Sequence, residues 1–239
     1  MKTIYEPKGM AREYSELALN LYRGCDHGCY YCYAPSCLRM QKNEFHNNSK
    51  VRNGIIKQLQ KDLIEMDLNK DNRCTLMCFT SDPYQGDNDF NIITQQAIKL
   101  FRAYNKPFQI LTKGGMKAVR DFYLYSKNDL FASTLTFDNV EDSIKAEPKA
   151  ALPDDRIKAI RKAKMNGITT WVSFEPVIVP GQTINLFHKT KDIVDKYKIG
   201  KINHHKSDVD WRKFTLQIIE LCEKYNKDYL IKDSLKKYL

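Results

Sequence analysis

Short apolar runs alternate along this chain with longer stretches whose apolar residues recur every three or four positions. The run over 15–22 reads as a buried strand that ends at a cysteine-rich loop. Over 51–66, Ile55, Ile56, Leu59, Leu63 and Met66 fall on one helical face. The cycle then repeats, with strands predicted over 74–80, 107–112, 130–137, 168–179 and 198–204. Helices are predicted over 91–105, 115–126, 153–167, 182–197 and 210–226. The third of these begins with Pro153, Asp154 and Asp155 and closes at Gly167, a conventional start and stop.

Six strand–helix units with apolar strands imply a parallel sheet, because each crossover helix covers a sheet face. Six units are too few for the eight-stranded closed barrel, so the expected fold is α/β, a partial (β/α)6 barrel with outer helices. A doubly wound open sheet is the alternative. In both, working groups gather at the C-terminal ends of the strands. No repeat or linker interrupts the pattern, so one domain over 1–239 is expected, with its core over about 15–226.

Charge adds a candidate partner. The chain carries 39 Lys+Arg against 29 Asp+Glu, a net charge of +10. Such a field attracts polyanions, and DNA or RNA is the commonest candidate. The lysines are spread with no basic tail, so charge alone fits a plain lysine-rich soluble protein equally well. No apolar run reaches the length of a membrane span and no signal segment opens the chain, which points to the cytoplasm.

Seven cysteines in a reducing compartment do not suggest disulfides, and four of them (Cys25, Cys29, Cys32 and Cys37) crowd one segment. In "GCDHGCYYCYAP", Cys25, Cys29 and Cys32 are spaced C-x3-C-x2-C after the first strand, with Gly24 and Gly28 to turn the backbone. Three thiolates can hold three irons of a 4Fe–4S cube and leave the fourth open to a ligand. All-protein ligation would ordinarily use four cysteines. A zinc site of the three cysteines with His27 is the competing reading, although structural zinc usually uses paired knuckles. Cys37 lies beyond the loop, where packing is its default role.

The C-x3-C-x-aromatic-C spacing, with Tyr31 as the aromatic, resembles the signature of radical S-adenosylmethionine enzymes. The chain is similar, further, to the spore photoproduct lyase-like group, often described as DNA repair photolyases. The matching blocks are "TSDPYQ" at 80–85, "LTKG" at 111–114, Glu147-Pro148 with "RIKA" from Arg156, "VIVPG", and "KIGKINHH". The resemblance implies a 4Fe–4S cluster on Cys25, Cys29 and Cys32, with S-adenosylmethionine on the open iron. It also implies reductive cleavage to a 5′-deoxyadenosyl radical and a reducing electron donor such as flavodoxin or ferredoxin. Carried over by position, it places Tyr31 near the adenine and Ser81 and Asp82 near the methionyl end. Lys113 would pair with the methionyl carboxylate, and Thr134 and Thr136 would reach the ribose. Tyr33, Tyr84, Glu175, His204 and His205 are candidates for contact with substrate.

Each has a quieter role: Asp82 before a proline can shape a turn, and Lys113 can be solvated. One position departs from the group. Spore photoproduct lyase carries a cysteine that returns hydrogen to the repaired thymine directly before the Thr-Ser-Asp block. This chain has Phe79 there and Cys78 one residue earlier, and a shift of one along a strand reverses the face. The expected function is radical repair or modification of a nucleic acid or nucleobase, by a route other than that thiol. The alternatives are the same chemistry on a peptide or small metabolite, or a zinc-stabilised nucleic-acid-binding module.

Overall fold

A computed structural model describes residues 2–86, 88–202 and 208–239. The strands of its main sheet are β1 (Ile4–Tyr5), β2 (Leu17–Leu19), β3 (Thr75–Met77), β4 (Phe108–Thr112), β5 (Leu130–Thr134), β6 (Thr169–Val177), β7 (Lys196–Lys201) and β8 (Asp228–Ile231). They form one eight-stranded sheet in sequence order, with β1 antiparallel to β2 and every later pair parallel. This is the partial barrel expected from the alternating pattern. It extends past the expected core at both ends, through β1 and β8.

Alternation along the strands sorts the two faces of the sheet. Met77, Phe108, Ile110, Phe131, Val172, Phe174 and Ile199 face outward into the large core under the helices. Leu76, Ala132 and Trp171 face inward and pack with Tyr14. Tyr14 follows the 3₁₀ turn Gly9–Glu13, and its carbonyl accepts from Lys198 Nζ at 2.7 Å and Gln109 Nε2 at 3.3 Å. The N-terminal segment therefore fills the inside of the arc.

Helices Ile55–Leu68, Asn88–Ala103, Pro153–Met165, Pro180–Thr190 and Trp211–Lys224 supply five of the six expected crossover elements. The sixth, Gly115–Leu124, is a 3₁₀ helix rather than an α-helix. The stretch over 182–197 was expected to be helical throughout, but the helix stops at Thr190 and Lys196–Tyr197 already belong to β7. The strand expected over 130–137 ends at Thr134. A further helix, Val140–Ala146, lies between the strand and the helix expected over 130–137 and 153–167. Its N-cap Asn139 accepts from Asp142 N, and two acidic residues occupy its first turn, where the helix dipole favours them. Among the described residues, no helix is long and apolar enough to cross a membrane.

Candidate active site

The cysteine loop leaves the strand Tyr22–Arg23, which pairs with Lys50–Val51 as a short ribbon beside the barrel mouth. Gly24 has φ +84°, and a side chain there would put Cβ 2.6 Å from the Phe45 carbonyl. That carbonyl accepts from Cys25 N at 3.1 Å, so the close approach fixes the start of the loop. Gln85, fully buried beyond β3, accepts from Asp26 N at 2.9 Å and donates to the Gly24 carbonyl at 3.3 Å. On the other side, Tyr30 N donates to Ala146 O and Lys149 N to His27 O. The loop is thus tied to three separate elements.

The three thiols sense one another and their surroundings. Burial first, then Asp82, Cys29 and Cys32, push the Cys25 thiol well above its usual range. Burial, against the pull of Lys113, raises Cys29 to about 11, and burial also raises Cys32. The three thiols share one loop, and as a donor set they fit a cluster held by three corners, which would take their thiolates and release their protons. Cys25, Asp26 and His27 also bring potential ligand atoms within 4.8 Å of one another. His27 is buried, and its Nδ1 has no partner.

Behind the loop lies a buried polar relay. Tyr31 donates its hydroxyl to Glu147 and lies 3.2 Å from Thr136 Oγ1. Glu147 pairs with Arg156 at 2.5 Å, both side chains being 1% exposed. Arg156 also donates to the Thr134 carbonyl at 3.0 Å and to Ala151 O at 2.6 Å. Burial opposes the charge on Glu147, but Arg156 and Lys113 outweigh it and hold the carboxyl below its usual range. Lys113 Nζ sits 5.5 Å above the Tyr31 ring and makes no hydrogen bond among the described residues. Burial alone would lower its pKa, yet the charges of Cys29, Glu147 and Asp82 raise it. An ammonium without a hydrogen-bond partner beside the thiols is ready for an anionic group.

The expected site residues divide. Cys25, Cys29, Cys32, Tyr31, Lys113, Thr134 and Thr136 come together at this end of the barrel. Ser81 keeps its enclosed Oγ beside the Cys78 thiol. Asp82 is spent within the protein: Oδ1 accepts from Thr112 Oγ1 at 2.5 Å and Tyr84 N at 2.8 Å, and Oδ2 from Lys113 N at 2.7 Å. It braces two strand ends, the turn-shaping role. Tyr84 is fully buried in the outer core with its hydroxyl on Asp121 at 2.9 Å, which removes it from the substrate side. Tyr33 is at the mouth, 47% exposed, with its hydroxyl on the Phe79 carbonyl. Glu175 projects into the arc beside Tyr14 and Lys232. His204 and His205 lie outside the described residues.

Phe79 packs against Tyr14 and Tyr33, with ring centroids 6.0 Å apart in each pair, whereas Cys78 is buried in the outer core. The inward place holds a phenyl ring, and burial pushes the Cys78 thiol up to about 12. Sequence reading quoted Glu147 and Arg156 as motif blocks without pairing them. It did not single out Tyr14, Gln85, Lys198 or Lys232. A cleft of about 410 Å³ opens next to Tyr30, lined by Phe137, Ala146, Ile178 and Val179, with Asp142 and Lys145.

A parallel arc of strands with three loop thiols and an open cation at its C-terminal mouth defines a metal-cluster enzyme of the α/β barrel kind. The radical SAM superfamily profile matches residues 19–194, and the chain belongs to that superfamily. Its enzymes use a 4Fe–4S cluster with S-adenosylmethionine and draw on an electron donor. An uncharacterised protein of Methanocaldococcus jannaschii is 27% identical over 168 residues, covering 69% of this chain and 61% of that protein. Spore photoproduct lyase, in a mutant form with bound S-adenosylmethionine and dinucleoside spore photoproduct, superposes with TM-score 0.65 at 19% identity. That match covers 96% of this chain and 65% of the lyase. Streptococcus suis SuiB bound to S-adenosylmethionine gives TM-score 0.64 at 13% identity over 89% of this chain and 45% of SuiB. In each case the chain spans less than two thirds of the relative.

Proposed function

We propose that this enzyme acts on a nucleic acid or nucleobase, by repair or modification, with radical chemistry started at the cluster loop. Cys25, Cys29 and Cys32 would hold the cluster. When bound and reduced by one electron, the cluster supplies cleavage of the S-adenosylmethionine sulfonium to methionine and a 5′-deoxyadenosyl radical that abstracts hydrogen from substrate. Lys113 offers its ammonium to the methionyl carboxylate. Tyr31, fixed by Glu147, forms a wall for the adenine, with Thr134 and Thr136 beside the ribose and Ser81 toward the methionyl end. The Tyr14–Phe79–Tyr33 wall closes the arc from within and keeps bulk water from the reacting centre. The electron comes from a low-potential donor of the flavodoxin or ferredoxin kind.

The observation that carries the substrate class is the fold shared along 96% of this chain with a protein holding a dinucleoside lesion. The net charge of +10 supports it. Departure at Phe79 argues against return of hydrogen by a thiol at that place. The test is anaerobic reconstitution, reduction and an assay for 5′-deoxyadenosine with deuterated DNA, RNA and peptide substrates. Brown protein, cofactor cleavage and label transfer from an oligonucleotide support the proposal, together with polynucleotide binding that weakens steeply with salt. Colourless zinc-loaded protein without cleavage overturns it. Label arriving from a peptide, or salt-insensitive failure to bind polynucleotide, moves the substrate to another class.

A further inference from the structure

Glu175 is tied by one carboxylate oxygen only. Oε2 accepts from the Tyr14 hydroxyl and from Lys232 Nζ at 2.5 Å. Among the described residues Oε1 makes no hydrogen bond, and the Glu175 side chain is 15% exposed. The anchor is itself anchored: Lys232 Nζ lies 4.3 Å over the Tyr14 ring and 3.4 Å from Glu13 Oε2. Tyr14 Oη is also 3.0 Å from Ser173 Oγ. Gly200 leaves room for this arrangement, since a Cβ there would lie 2.9 Å from Oε1 and 3.0 Å from Lys232 Cδ. An acceptor whose other oxygen is so firmly held has a fixed direction.

Flat apolar surface continues from the Tyr14 ring that holds Oε2. The Tyr14 ring meets Phe79, and Phe79 meets Tyr33, which is 47% exposed at the mouth. Charge nearby is close to balanced, because Glu13 and Glu175 face Lys232 and the ammonium of Lys198, which lies 5.3 Å from the Tyr14 ring. A cation would gain little here, while an uncharged N–H gains a hydrogen bond to a carboxylate, the stronger kind.

The geometry points to Glu175 Oε1 as the acceptor that reads one uncharged N–H on the edge of a planar heterocycle, whose face lies along Phe79 and Tyr33. Nucleobases are that class of group, and the inference rests on the nucleic-acid reading above. A site built around such a hydrogen bond rejects an analogue that lacks the donor.

The test uses the reconstituted holoenzyme with S-adenosylmethionine. Deoxytrinucleotides of adenine, cytosine, guanine and thymine are titrated beside counterparts whose base N–H groups are methylated. The tightest binder should lose about tenfold or more in affinity on methylation. That discrimination should collapse in Glu175→Gln. Gly200→Ala, which displaces Oε1 while keeping the charge, should shrink it too, and a cluster absorbance equal to wild type certifies each variant as folded. Equal binding of methylated and unmethylated forms overturns the inference and leaves the nucleic-acid reading standing. So does discrimination that survives in both variants. If no trinucleotide binds while S-adenosylmethionine is still cleaved, the nucleic-acid reading fails and takes this inference with it.

Discussion

Arg156 Nη2 lies 2.5 Å from Glu147 Oε2, and each side chain is 1% exposed. The pair joins the helix Pro153–Met165 to the residue after the helix Val140–Ala146, and through Tyr31 it reaches the cysteine loop. A buried pair of this kind costs much to desolvate, so its consequence is clearest when one partner is removed.

Glu147→Leu or Arg156→Met alone should destabilise the fold by about 3–5 kcal/mol, because each leaves a buried charge unpaired. The double substitution should recover a good part of that loss. Chemical denaturation of the three variants measures it. Single variants that unfold like wild type would show that the pair is not closed in solution.

Lys113→Met should weaken S-adenosylmethionine binding by about tenfold or more, the worth of a charge-assisted hydrogen bond, with the fold intact. Equilibrium binding to the reconstituted enzyme measures it. The observation behind it is an ammonium near Cys29, Glu147 and Asp82 that has no hydrogen-bond partner among the described residues.

Lys198 sets a pH dependence. Burial, then the neighbouring Lys196 and Lys232, lowers its pKa from 10.5 to about 8. Between those values the unfolded chain binds the extra proton, so this lysine's contribution to stability rises with pH. Its burial costs up to about 3 kcal/mol below pH 8, and the cost is gone above pH 10.5. Cys29, raised to about 11, acts in the opposite direction over an overlapping range, so total stability is not the readout. The difference between wild type and Lys198→Met, followed by denaturation from pH 7.5 to 10.5, should grow in favour of wild type as pH rises.

Thiol reactivity should follow burial. In the holoenzyme Cys37 is the exposed thiol, whereas Cys78 and Cys222 are buried and pushed up to about 12. Iodoacetamide at pH 8 should modify Cys37 faster than either by more than about tenfold. Mass spectrometry of the modified peptides checks it. Rapid modification of Cys78 in folded protein would place that thiol on the inner face after all.

Much of this was legible along the chain. Apolar residues repeat every three or four positions over 51–66 and form continuous runs such as 107–112, and both periods are local consequences of which face must leave water. The cysteine loop was legible too, because its spacing and its two positive-φ glycines lie within eight residues of one another. Elements that failed to show were those with no period to read. β1 has two residues, β8 has four, and both gain their hydrogen bonds only from a neighbouring strand already in place.

Side-chain roles at the site divided along the same line. The sequence by itself determined that three thiols share one loop at a strand end and that the strands run parallel, because both follow from short-range spacing. Only the tertiary structure decided that Asp82 is spent on Thr112 and Lys113, and that Phe79 turns inward while Cys78 turns away. Only it brought Tyr14, 161 residues distant, and Lys232, 57 residues distant, onto one oxygen of Glu175. The physical reason is curvature. A sheet that bends into an arc turns residues far apart in the chain toward a common interior, and no local pattern of polar and apolar positions records which of them will meet there.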